Sequence, residues 1–210
     1  MQIAYRIFQC PSKFDRTISY YDWVLNFSRQ RDQKPGIAWY LINLGALNWE
    51  AGKLDQAAYQ FAEALRLSQE LGQETYLEAE ALLGTGRVCL ALGEYGSAKT
   101  YLQEALEKKQ DWESHNFLKY IEAIALLAAC QQEKAPRADL ELAARQLGAT
   151  EALHLKWQLT RTPRERQDRE RTIAAVRGTL GEDAFTKAWK EGKAMTLEQA
   201  IAYAKEGDNT

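Results

Sequence analysis

The stretch GKLDQAAYQFAEAL at 52–65 recurs 41 positions later as GEYGSAKTYLQEAL at 93–106. At that offset Gly52 meets Gly93, Ala57 meets Ala98, Phe61 meets Leu102, Glu63 meets Glu104, and Ala64-Leu65 meets Ala105-Leu106. Upstream, Leu41 and Gly45 meet Leu82 and Gly86. A backward step of 40 sets Lys53, Asp55, Phe61 and Leu65 on Lys13, Asp15, Tyr21 and Leu25, without the glycine and the two alanines. A fixed period of this length marks stacked supersecondary units, none of which can bury its apolar face alone.

Each unit reads as a pair of helices. β-branched residues are scattered and do not alternate, and four prolines leave long segments with a 3.6-residue period. The spacing predicts a first helix from about Pro35 to Glu50, with proline at the start, where its missing N–H costs nothing. Gly52 closes that helix in the left-handed position after a C-cap. A second helix follows from about Leu54 to Leu71 and stops at Gly72. Ala57 and Ala64 are seven apart and share a face, with Gly45 on the facing helix. Small residues there let two antiparallel helices approach at the short end of about 8–10 Å. A looser third pair is expected at 117–132 and 137–153.

Beyond Leu153 the period stops. A charged helix is expected over 163–181, then two shorter ones; Thr196 and Gln199 form a capping box, and Phe185 and Trp189 an i, i+4 aromatic pair. The expected fold is all-α: a superhelix of about three to four helix pairs over 1–153, with capping helices over 154–210 packed on the last repeat. The first ten residues align with the second half of a first helix. The chain is therefore expected to begin inside a repeat, as a C-terminal piece of a longer protein or with a shortened first helix.

Leu41, Leu44, Gly45, Ala57, Phe61 and Ala64, with Leu82, Gly86, Ala98, Leu102 and Ala105, fall at a spacing that resembles the tetratricopeptide repeat. Longer second helices stretch the usual period of about 34 residues. The tail is similar to another pattern. AARQLGATEAL (143–153) and ERQDRERTIAAVRGTLGEDAFTKAWKEGKAMTLEQAIAYA (165–204) resemble the C-terminal end of bacterial STAND-class regulators, such as LuxR-type and AfsR-like transcription regulators and helical-repeat ATPases. That resemblance implies a sensor and scaffold role, in which partners or an inducer bind the superhelix and release autoinhibition. The family's ATP site lies elsewhere, because the chain has no G-x-x-x-x-G-K-[ST], and no helix-turn-helix is recognisable in it.

In a tetratricopeptide stack the first helices line a concave groove. The register places Trp39, Ile42, Trp49 and Glu50 there from one pair, Glu80, Leu83, Arg87 and Leu90 from the next, and Tyr120, Ala123 and Leu127 from the third. Aromatics with one arginine suit a peptide or an amphipathic helix. The alternative is that Trp39 and Trp49 pack between neighbouring repeats or under the terminal helices. Arg161, Arg164, Arg166, Arg169, Arg171 and Arg177 form a basic run interleaved with Glu165, Asp168 and Glu170. It reads as a solvated helix face, with Glu165 paired to Arg169 four residues on, and not as a nucleic-acid site. Glu78 and Glu80 read as solvent-facing charges.

Catalysis and metal binding find little support. His115 and His154 are 39 apart, with no clustered ligands, and no Ser-His-Asp grouping or phosphate loop is visible. The expectation is a non-enzyme with no cofactor and no metal. A formal charge of -2 from 27 basic and 29 acidic residues draws the chain to neither nucleic acid nor membrane. Cys10, Cys89 and Cys130 have no CxxC spacing, which points to a reducing, cytoplasmic compartment; Cys89 and Cys130 read as core filler. The functional expectation is an interaction and sensor module of a bacterial regulator, binding a partner protein or peptide, or the regulator's upstream domains. The alternatives are a free-standing adaptor that homodimerises through its uncapped N-terminal repeat, and a small-molecule inducer sensor.

Overall fold

A computed structural model of the chain describes residues 11–72, 76–108, 117–131 and 135–206. The expectation for the first ten residues, together with Cys10 and His115, lies outside them. All the described regular structure is α-helical, as the repeat spacing requires. Ten helices are described: α1 Pro11–Gln30, α2 Lys34–Glu50, α3 Leu54–Glu70, α4 Tyr76–Leu92, α5 Tyr95–Lys108, α6 Phe117–Gln131, α7 Arg137–Lys156, α8 Pro163–Leu180, α9 Glu182–Lys193 and α10 Leu197–Glu206. They fall into two compact units, Met1–Gln110 and Asp111–Thr210.

In the first unit α2 and α3 form one pair and α4 and α5 the next, with α1 against α2. The turn after α2 shows how glycine sets the period. Gly52 has φ +75°. Its N–H donates to Trp49 O at 3.0 Å and the Lys53 N–H donates to Asn48 O at 2.8 Å, the two bonds of a Schellman end. The turn after α4 repeats it: Gly93 has φ +79°, and the Glu94 N–H donates to Cys89 O at 2.9 Å. In the degenerate first copy Asp32, 40 residues before Gly72, takes the left-handed position at φ +49°, which a short polar side chain tolerates.

The small residues set the helix spacing. A Cβ on Gly45 would lie 2.9 Å from the Phe61 ring, and one on Gly84 only 2.3 Å from it. The Phe61 ring of α3 thus sits in a slot between α2 and α4. Gly86 and Leu102 repeat the Gly45–Phe61 contact at the 41-residue offset, also at 2.9 Å. Ala57, Ala64, Ala98 and Ala105 are fully buried. Ile37, Ala38, Leu41, Leu44, Leu67, Leu77 and Ala81 form one core with Ala64, and Ala57 packs in another with Trp49, Phe61 and Val88.

In the second unit α7 is central: α6, α8, α9 and α10 all pack on it, and α8 also touches α6. Val176, Leu180, Phe185 and Ala188 of α8 and α9 join Ala125, Leu140, Ala143, Ala144 and Leu147 in one core. α7 and α9 cross at two glycines. A Cβ on Gly148 would lie 2.3 Å from Trp189 O, and one on Gly192 would lie 1.9 Å from Arg145 O. The compact units part at 110/111, whereas a boundary at 153/154 is what loss of periodicity predicts. The reason is physical: the non-periodic helices share their core with the third pair. The capping box expected at Thr196 and Gln199 is present, and a second stands at the start of α8. Thr162 accepts from the Glu165 N–H and Glu165 from the Thr162 N–H; Thr196 and Gln199 do the same.

Candidate functional site

The predicted partner-binding residues of the first unit lie on α2 and α4, which pack directly on each other. Trp49 is buried, its side chain packed with Ala57, Phe61 and Val88 and bordered by Ile42. Half-buried Arg87 holds its guanidinium 3.7 Å above the centre of the Trp49 ring, a cation–π contact. Beside it, Asn48 is buried; its amide N–H donates to Gln60 Oε1 at 2.8 Å, while Asn48 Oδ1 has no partner. Trp39 stands 39% exposed at the other end of α2, against the rings of Tyr21 and Tyr40.

Ile42, Glu50 and Glu80 are half-buried. Leu83 and Leu90 of α4 are buried, as are Tyr120, Ala123 and Leu127 of α6. The side chains that reach solvent among the predicted set are therefore Trp39, Ile42, Glu50, Glu80 and Arg87. Trp49 supports Arg87 from below. Its burial follows from Phe61: the ring that fills the slot between the glycines also closes over Trp49.

Two readings of charge are corrected. Glu78 is buried and pairs with Lys108 at 3.3 Å; only Glu80 keeps solvent contact. The basic run is not uniformly solvated. Arg166, Arg171 and Arg177 are exposed, but Arg169 is buried and Arg161 largely so. Glu165 is engaged in the cap at Thr162, so it does not pair with Arg169 as its spacing predicts.

Arg169 instead enters a polar cluster in the second unit. Its Nη1 donates to Glu122 Oε1 and to Thr150 Oγ1, both at 2.9 Å. Its Nη2 donates to Leu147 O at 2.8 Å and to Glu151 Oε2 at 3.0 Å. Arg161 donates to the same two carboxylates, at 2.9 Å and 3.3 Å. Burial pulls the Arg169 guanidinium below its ordinary value, opposed by Glu122 and Glu151. His154 lies at the edge, with Nε2 3.9 Å from Glu122 and a buried, unpartnered Nδ1. Burial lowers its pKa; the Glu122 carboxylate works against that and the Arg161 charge with it. The sequence holds one signal for this cluster: Glu122 interrupts the apolar run FLKYIEAIALLAAC, and a carboxylate in such a run needs a cation.

Cys89 is buried and its thiol is pushed up by burial and by the nearby Glu94 carboxylate, which disfavours a reactive thiolate; Cys130 is half-buried. Among the described residues no cluster of His, Cys, Asp or Glu is arranged to hold a metal ion, and no helix is long and apolar enough to cross a membrane.

No protein-family model matches the chain. Proteins of Mycobacterium bovis and Mycobacterium tuberculosis named "Putative HTH-type transcriptional regulator" are 31% identical to it over 127 residues. The matched stretch is 60% of this chain and only 14% of those relatives' length.

Proposed function

We propose that the chain is a helical-repeat interaction module of a bacterial transcription regulator, with pairs of the tetratricopeptide kind and a tail of the STAND-class type. Its work in this reading is recognition, with no catalysis, cofactor or direct nucleic-acid contact. The α2/α4 face takes a partner protein or peptide, or an upstream part of the regulator itself, in the cytoplasm. The observation that carries this reading is Arg87 stacked on Trp49, with half-exposed Trp39 ten residues earlier on α2. A cation fixed over an indole is a pre-ordered charged contact, and Trp and Arg dominate binding energy at interfaces. The similarity to transcription regulators over 127 residues supports the regulatory setting, and most of those relatives' length lies outside the matched stretch.

Affinity capture with wild-type chain, Arg87→Glu and Trp39→Ala tests it. The expected result is loss of the same captured proteins by both variants, with urea-unfolding midpoints near the wild-type value for Trp39→Ala. An identical capture profile for all three overturns the reading.

A further inference from the structure

Helix α1 is apolar on two sides. Ile18, Tyr21 and Leu25 pack toward the core of the first unit. On the opposite side Tyr20 is 60% exposed, Trp23 64% and Phe27 39%. Positions 16, 20, 23 and 27 follow a four-three-four spacing, so they run along one face of α1, and Arg31 follows in the turn just past its end. The three aromatics form one contiguous strip: Tyr20 and Trp23 have ring centres 6.4 Å apart, and Trp23 and Phe27 stack at 6.0 Å. A contiguous exposed aromatic strip is informative in a way that a lone exposed leucine is not.

The charges at its ends say what fits. Arg16 is exposed one turn before Tyr20, and Arg31 is exposed one turn after Phe27, with its guanidinium 4.1 Å from the Phe27 ring centre. Neither arginine forms an ion pair among the described residues, whereas neighbouring Arg29 is held by Glu63 at 2.9 Å. Asp15 and Asp22 lie more than a quarter turn round the helix, off the strip. Ser19, Asn26 and Gln30 border it as neutral polar residues.

We propose that this strip is a docking face for an amphipathic helix with a short apolar face and a carboxylate at each end. About fifteen residues separate the two arginines, roughly 22 Å along a helix axis. The partner helix therefore needs its acidic residues about four turns apart, with leucine- or phenylalanine-like side chains between them at i, i+3 or i+4, and i+7. A second copy of this chain fits poorly. Antiparallel self-pairing that sets Tyr20 on Phe27 also sets Arg16 on Arg31 at both ends, and like charges placed face to face repel. The face is separate from the α2/α4 face and stands or falls independently of it.

Two designed helical peptides test this, with the same leucine pattern and either glutamates or lysines at both ends. Fluorescence anisotropy with the full 210-residue chain reads their affinity. The glutamate peptide should bind at least about tenfold more tightly, and weaken as salt rises. Trp23→Ala/Phe27→Ala should weaken it by at least about tenfold with an unchanged unfolding midpoint, because both side chains are exposed. Arg16→Glu/Arg31→Glu should switch the preference to the lysine peptide. Equal affinity for the two peptides, binding to neither, or binding indifferent to both double variants overturns the proposal. So does a dimer in sedimentation that Trp23→Ala dissolves, which assigns the strip to a second copy.

Discussion

The Arg169 guanidinium donates to Glu122 Oε1 at 2.9 Å, across from α8 to α6, while its other nitrogen donates to Leu147 O and Glu151 on α7. One side chain thus ties three helices together. Removing it leaves Glu122 and Glu151 with Arg161 alone and takes a donor from the Leu147 carbonyl, in a largely desolvated cluster. Breaking a buried pair in this way is destabilising by about 3–5 kcal/mol. Arg169→Ala should lower the urea midpoint by that equivalent. Arg171→Ala, exposed two residues on, should stay within about 0.5 kcal/mol. Equal midpoints for the two variants would place the cluster in solvent.

His154 gives a pH dependence with a definite sign. Its folded pKa is lowered, chiefly by burial, from an unfolded value near 6.5. The folded state therefore resists protonation more than the unfolded chain does. The associated stability is present above about pH 6.5 and is lost as pH falls through the depressed folded pKa. Of the neighbouring charges, Glu122 opposes that shift while Arg161 and Arg169 add to it. His154→Gln should flatten the fall in unfolding midpoint below about pH 6.5 relative to wild type. Parallel midpoint curves for the two proteins would show that His154 titrates normally.

The alanine positions of the repeat predict an asymmetry. Ala57 and Ala98 have no exposed surface, so leucine at either must displace a helix. Ala57→Leu and Ala98→Leu should each destabilise by about 1–3 kcal/mol. Glu104→Ala, on an exposed side of α5, should change stability by less than about 0.5 kcal/mol. Chemical denaturation of all three decides; matching losses would undo the helix-pair register.

Glycines on α8 and α9 should behave in opposite ways. A Cβ at Gly192 would fall 1.9 Å from the Arg145 carbonyl oxygen, a backbone atom with no rotamer to escape into. Gly192→Ala should therefore separate α7 from α9 and destabilise more than the alanine-to-leucine changes. Gly178 meets nothing within 4 Å of a built Cβ. Gly178→Ala should stabilise by about 0.5–1 kcal/mol, as alanine does in an open helix interior. Thermal unfolding distinguishes the two directly.

Much of the first unit is legible in residue size alone. Gly45 with Phe61 and Gly86 with Leu102 occupy equivalent contacts because an equal offset along the chain repeats an equal offset in space. The helix ends are legible too, since Gly52 and Gly93 adopt a backbone conformation that most residues resist. Asp32 is harder to read, because aspartate enters that region only where the rest of the turn is already set. Trp49 shows the limit for the candidate site. Its spacing puts it on the same helix as Trp39, yet one is buried under Phe61 and the other reaches solvent.

Helix identity, the forty-residue beat and the faces to be buried follow from near neighbours in the chain, where periods of three to four residues place side chains on one side. The partner of each charge does not follow. Arg169 has Glu165 one turn away and bonds instead to Glu122, 47 positions back. Glu78, in a segment that reads as a wet helix face, is closed off by Lys108 thirty residues on. Burial and ion pairing depend on which distant surfaces meet, and the free energy of a buried charge is set by all of them together.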